Sequence, residues 1–315
     1  MEWIQPMEPI LIPEVRTGDG WMHEIKWDGI RGMSYVQNGR MRLYTKRGNE
    51  RTAFYPELAE VTELLGAGEA VLDGEIVVFD SGGNPSFYSS LVRERVQDVK
   101  KVSYYSRLYP AKYILFDILA LDGRDLTRTP LSERKRMLEA AAGRSGNITL
   151  TDSYDEGRAL YELMKAKNWE GIVSKKKDSP YVPGKGHDLW FKTKLSRKML
   201  AVVGGIQWKT GMPNSILLGV YREGTLVFIG KAGLGLNQEQ LYLLGEQAAG
   251  PGPRVCPFAG ESMAGVKGDF TWLDPALTCW VHFMEFTADG QMRHPKILGF
   301  SQAKPFEANG KEYVQ

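Results

Sequence analysis

The sequence predicts an α+β chain of two domains, with antiparallel sheets and helices first and a small OB-fold β-barrel after them. Three observations lead there. A length of 315 residues suits two domains of roughly 100 to 200 residues each. Up to residue 197, alternating apolar strands are interleaved with stripes of helical spacing, as expected of sheets backed by helices. From residue 198 the texture changes to short strands and turns with one helix, as in a small barrel. The domains are therefore drawn as 1–197 and 198–315.

Composition narrows the class. Hydrophobic content of 43% and charged content of 25% are ordinary for a water-soluble fold. The first residues lack a basic stretch leading into an apolar run, so no secretion signal is expected. The most apolar run, 113–121, is broken by Asp117 and falls short of the ~20 residues of a membrane span. Cys256 and Cys279 have no metal-ligand spacing, and two thiols in so long a chain suit a reducing cytosol.

Taken in order, residues 1–19 are rich in proline and acids and should wrap the surface. Residues 21–27 alternate as a strand, with Trp21, His23, Ile25 and Trp27 on one face and Met22, Glu24 and Lys26 on the other. A lysine fixed there, with cations nearby to depress its pKa, is a candidate nucleophile. Asp28-Gly29 turns the chain, and Arg31 enters the next strand. Strands at 31–36 and 41–45 flank Asn38-Gly39, the strongest short hairpin signal, and Lys46-Arg47-Gly48 follows as a basic turn. Pro56 opens a helix over 56–65 with Leu58, Val61 and Leu65 on one stripe. Residues 70–79 form an apolar strand with Asp73 and Glu75 on one face. Carboxylates are costly there unless partnered, and a salt bridge, a metal or a ribose would each serve.

A helix or loop is expected around 91–99, and a core strand at 112–121 with Phe116 and Asp117 on opposite faces. One helix runs from Leu131 to Gly143; Ser153 and Glu156 form a capping box for another reaching Lys167, with Leu160, Leu163 and Met164 inward. A short strand after Glu170 leads through a loop at 181–186 to a strand at 190–194, whose Lys192 and Lys194 share a face as on an exposed edge. Barrel strands are expected at 199–208, 216–222, 225–231 and 279–287, with an extended segment to Phe300 and a helix near 238–248.

Charge is unevenly placed. The chain carries a net +2, yet 174–198 holds eight lysines and arginines, Lys175, Lys176 and Lys185 among them, against two aspartates. Such a field suits a polyphosphate or a nucleic acid.

The ordered set Lys26-Trp27-Asp28-Gly29-Ile30-Arg31, Lys46-Arg47-Gly48, Asp73-Gly74-Glu75, Phe116-Asp117, Glu170-Gly171-Ile172-Val173 and Trp190 to Lys194 resembles the motifs of covalent nucleotidyltransferases. Within them the chain is most similar to ATP-dependent DNA ligases, in particular the ligase module of bacterial ligase D, and the resemblance reaches Arg293-His294-Pro295. It implies an ATP-grasp-like adenylation domain followed by an OB domain, and sealing of nicked double-stranded DNA in repair or end joining. Lys26 would take AMP as a phosphoramidate. Glu24 with Ile25 would read the adenine and Phe116 stack on it. Arg31, Lys46 and Arg47 would hold ribose and phosphate, Lys192 and Lys194 the triphosphate, Glu75 the ribose or a metal, and Glu170 would help bind that metal, Mg²⁺ with Mn²⁺ as substitute. Lys175, Lys176, Lys185, Arg293 and Lys304 would contact DNA. A monomer in the bacterial cytoplasm, associated with the nucleoid and with a Ku-like end-binding partner, is implied as well. The pattern departs at Lys46, where arginine is usual, at Lys185-Gly186, where a basic pair is usual, and after Pro295, where Lys304 alone matches; slow self-adenylation is therefore an expectation. Two other readings share the core: an RNA ligase or capping-type guanylyltransferase, and an impaired fold serving as a DNA-binding module.

Overall fold

A computed structural model describes residues 3–184, 187–195, 197–233, 235, 242, 244–246, 248, 255–287 and 289–314. The chain folds as two compact units, Met1–Lys194 and Leu195–Gln315.

The first unit is built on two sheets. The smaller runs in the order Ile10–Leu11, Trp190–Lys194, Gly171–Lys176, Trp21–Ile25. The larger runs Arg40–Thr45, Ile30–Gln37, Glu69–Val78, Ala111–Leu121, Arg124–Asp125, with Ile148–Leu150 also on Ala111–Leu121. A shared core of Met22, Met33, Phe116 and Trp190 joins them, so each contributes an inner face to one space. The other side of the larger sheet buries Leu72, Tyr113 and Leu115 against Leu58, Val61 and Leu138, apolar stripes that remove themselves from water.

The Asn38-Gly39 hairpin forms as expected, both residues at positive φ (51° and 68°), which suits a two-residue turn. Other expectations are revised by the fold. The 56–65 stretch is a 3-10 helix, Pro56–Glu60, with one α turn, Val61–Leu64. The region from 81 to 107 holds helices Phe87–Glu94 and Val102–Leu108. No capping box forms at Ser153: the helix is Gly157–Lys167 with Glu156 as an uncapped N-cap, and Leu163 is exposed while Leu160 and Met164 are buried. The Trp190–Lys194 strand is interior, since Ile10–Leu11 pairs with its outer side. Residues near the N-terminus thus belong to the sheet, and Met7 is fully buried.

In the second unit, Arg197–Lys209, Met212–Arg222, Thr225–Gly233, Lys296–Ser301 and Thr278–Phe283 pair in sequence, and the last returns to the first. The ring closes a barrel around Val203, Ile216, Leu218, Val281 and Phe283. The helix expected at 238–248 lies largely outside the described residues. Among those described, no helix is long and apolar enough to cross a membrane.

Candidate active site

Register brings the sequence-predicted residues together in the first unit. In the smaller sheet Glu24 pairs with Val173 and Val173 with Lys192; Gly171 pairs with Lys194, and the Lys26 amide donates to the Gly171 carbonyl at 2.9 Å. Because alternate residues share a face, Glu24, Lys26, Lys192 and Lys194 stand in adjacent rows on one side of that sheet. Gly171 permits the crowding: its φ is +136°, and a Cβ would collide with the Thr193 carbonyl. In the larger sheet Arg31 pairs with Glu75 and Met33 with Asp73, and the register shift beside Gly74 leaves Phe116 as an unpaired bulge residue. Glu24, Lys26, Arg31, Glu75, Phe116 and Lys175, with Ile25 beside them, line one pocket.

Lys26 Nζ donates to Glu170 at 2.6 Å, and Lys194 Nζ lies 2.5 Å from the other Glu170 oxygen. Burial alone would lower the Lys26 pKa, but the Glu170 and Glu75 carboxylates reverse this and raise it. This corrects the expectation of a lysine deprotonated by neighbouring cations: the amine rests as an ammonium. Lys192 fits that expectation better, its pKa lowered by burial and by Lys26, Lys194 and Lys46.

The acids on the apolar strand separate. Asp73 is fully buried and bonds both oxygens to Arg31 at 2.6 Å, with the Tyr181 hydroxyl at 2.7 Å. Glu75 has no hydrogen bond or ion pair among the described residues. Burial raises its pKa to about 7, with Lys26 and Arg31 opposing and Glu170 and Asp73 adding to the rise. A carboxylate with open lone pairs beside a second one is chemistry for a hard cation. Among the described residues no group of three or more His, Cys, Asp or Glu side chains converges, so such an ion would keep waters or ligand oxygens.

Glu24 is 2% exposed and is held by Lys135 Nζ at 2.8 Å and Lys175 Nζ at 2.5 Å, with Ser153 Oγ 3.4 Å away. Burial would raise its pKa, but the two lysines lower it, so it is an ionised acceptor. Lys175 sits 4.4 Å from the Phe116 ring centroid and 4.3 Å from that of Trp190. Only 2% exposed, it offers no face to a DNA backbone, which corrects its assignment as a DNA contact. Lys135 escapes sequence reasoning, because its position on the Leu131–Ala141 helix carries no signal until the tertiary fold forms. The same holds for Arg134, fully buried with both Asp117 oxygens at 2.8 Å.

The remaining candidates lie outside the pocket lining. Lys46 is exposed and paired with Glu8 at 2.6 Å, Arg47 is exposed, and Lys176 faces Asp178 at 3.7 Å. Lys185 lies outside the described residues. In the second unit Arg293 pairs with Glu285 at 2.5 Å, and Lys304 is exposed beside Phe306.

Two family descriptions match the chain: ATP dependent DNA ligase domain over residues 11–194, and ATP dependent DNA ligase C terminal region over residues 209–304. Similarity to multifunctional non-homologous end joining DNA repair protein LigD of Mycobacterium tuberculosis is 32% identity over 291 residues, covering 90% of this chain and 36% of the relative. For LigD of Pseudomonas aeruginosa it is 30% over 314 residues, covering 96% and 36%. The chain therefore spans about a third of the length of these relatives. A solved mycobacterial DNA ligase D complexed with ATP and MES superposes with a TM-score of 0.55 at 30% identity, covering 97% of each chain. A Lig E DNA ligase, at 17% identity, TM-score 0.58 and coverage of 94% of this chain and all of that one, shares the fold.

Proposed function

Because the chain belongs to the ATP-dependent DNA ligase family, we propose that it joins DNA through an adenylate carried on Lys26. The observation that carries this is Lys26 Nζ held 2.6 Å from Glu170, with the nearby Glu75 unpaired among the described residues. The ammonium first gives its proton to solvent as its carboxylate partners are drawn off by other charge. The free amine then attacks the α-phosphorus of ATP: an N–P bond forms, the P–O bond to the leaving pyrophosphate breaks, and Lys194 and Lys192 neutralise that group. A 5′-phosphate oxygen of a nick next displaces Lys26, and finally a 3′-hydroxyl displaces AMP. Glu24, acceptor-only, suits the exocyclic amine of adenine, and Phe116 suits its ring face. Mg²⁺, held by Glu75 and Glu170 and replaceable by Mn²⁺, would supply charge neutralisation on the phosphates.

The reading extends to repair by end joining, with nicked duplex DNA as substrate, a Ku-like partner, a monomeric state and a place in the cytoplasm at the nucleoid. Incubation with α-labelled ATP and Mg²⁺ tests it. Label should enter the wild type and be lost in Lys26→Ala and on chelation of the metal, and the labelled enzyme should seal a nick. Labelling of Lys26→Ala to the wild-type extent overturns the assignment, and preferential labelling by GTP points to a capping-type enzyme. Slow labelling with intact sealing of a pre-adenylated nick would fit the incomplete motif around Lys304.

A further inference from the structure

The hairpin of Ile30–Gln37 and Arg40–Thr45 carries a second concavity that the reaction does not use, about 630 Å³ and lined by Trp3, Tyr35, Gln37, Arg40, Arg42 and Tyr44. Pairing of Tyr35 with Arg42 and Gln37 with Arg40 puts these side chains on one face, while Val36, Met41 and Leu43 on the other join the core. Arg40 and Arg42 are exposed and, among the described residues, make no ion pair, unlike Arg31, Arg51, Arg93 and Arg134. The carboxylates at the margin are engaged by neutral groups, Glu69 by the Gln37 amide at 2.7 Å and Glu50 by the Tyr44 hydroxyl at 3.5 Å. Trp3 is 42% exposed, its indole over Gly48, where an added Cβ would sit 3.5 Å from the ring. A large exposed ring beside two guanidiniums that make no ion pair among the described residues is good surface for a ligand that is both aromatic and anionic.

We propose that this face binds an unpaired single strand of DNA, Arg40 and Arg42 taking successive phosphates and Trp3 stacking on a base. Side chains two apart on a strand are spaced by about 6.8 Å, so the arginines present a regular row of cations along an extended polyanion. The row leads toward Lys46 at the foot of the hairpin, which is close enough to Lys192 to oppose its charge. An unpaired strand is favoured over a duplex because stacking on Trp3 needs a base face that a paired stack hides. The inference rests on the DNA-joining reading and adds a class of substrate, ends that carry a tail.

Fluorescence anisotropy on the full chain tests it, with a labelled nicked duplex and with the same duplex bearing a short oligothymidine tail. The tailed DNA should bind more tightly to wild type. Arg40→Ala with Arg42→Ala should remove about tenfold of the tailed affinity and lower its salt slope by about 1.4, and leave the untailed affinity and nick sealing unchanged. Trp3→Ala should weaken the tailed complex about fivefold, and Trp3→Phe, which keeps a ring, should restore most of it. Unchanged tailed affinity in the double variant overturns the proposal, as does equal loss on both DNAs, which would assign the arginines to duplex phosphates. If wild type seals no nick at all, the DNA-joining reading has failed instead, and tailed binding still reports on the groove.

Discussion

Asp73 and Glu75 stand two residues apart on one strand and have opposite fates. Asp73 is closed by Arg31 and Tyr181, so it is structural; Glu75 is left open, so its ionisation is what a cation can exploit. With its pKa raised from 4.5 to about 7, Glu75 makes the ligand-free fold bind a proton more tightly than the unfolded chain does, and stability falls as pH rises between these values. Glu75→Gln is therefore expected to stabilise the ligand-free protein on the order of 1–2 kcal/mol at pH 8 and to change little below pH 4.5, as read by urea melts at both pH values. Metal-dependent labelling by ATP should be lost in the same variant. The Lys26 pKa is raised as well, which keeps the amine protonated, so the labelling rate should climb with pH. Glu170→Gln removes the carboxylate that most favours the ammonium and should move that climb to lower pH, though with a smaller maximum rate; an unshifted profile would mean Glu170 does not control the amine.

At the scale of elements, the sequence is most informative where one face of a strand repeats a simple rule. Alternation alone puts Glu24 with Lys26 and Lys192 with Lys194, and Asn38-Gly39 declares its hairpin. What stays hidden depends on which strands become neighbours. Nothing local says that Ile10–Leu11 covers the far side of Trp190–Lys194, or that Lys135, remote in sequence, arrives against Glu24. Ser153 and Glu156 match a capping pattern, but the Ser153 hydroxyl lies near the Glu24 carboxylate instead, so a tertiary contact outcompetes a local one. The glycine after Glu170 can be tested. Gly171→Ala forces a positive φ on a residue with a Cβ and pushes that carbon into the Thr193 carbonyl, so a loss of more than about 2 kcal/mol is expected together with loss of labelling. Asp117→Ala, which strands the buried Arg134, should cost about 3–5 kcal/mol by denaturant titration without being a catalytic lesion.

Two units with separate apolar cores are expected to give two unfolding transitions. Phe283→Ala empties space in the barrel alone, at about 3–5 kcal/mol, and should lower one thermal transition while leaving in place the one that added ATP and Mg²⁺ are expected to raise. A single shared shift in calorimetry would contradict the division. The ion pair at the centre of the first unit has a further bearing on how the protein survives between turnovers. The chain holds 40 lysines and arginines, and Lys26, the amine proposed to carry the adenylate, is 21% exposed and held as an ammonium by Glu170. Metabolic acyl donors and cyanate should therefore modify surface amines first and spare this one until a legitimate nucleotide arrives, so that chemical ageing tarnishes the exterior long before it silences the enzyme.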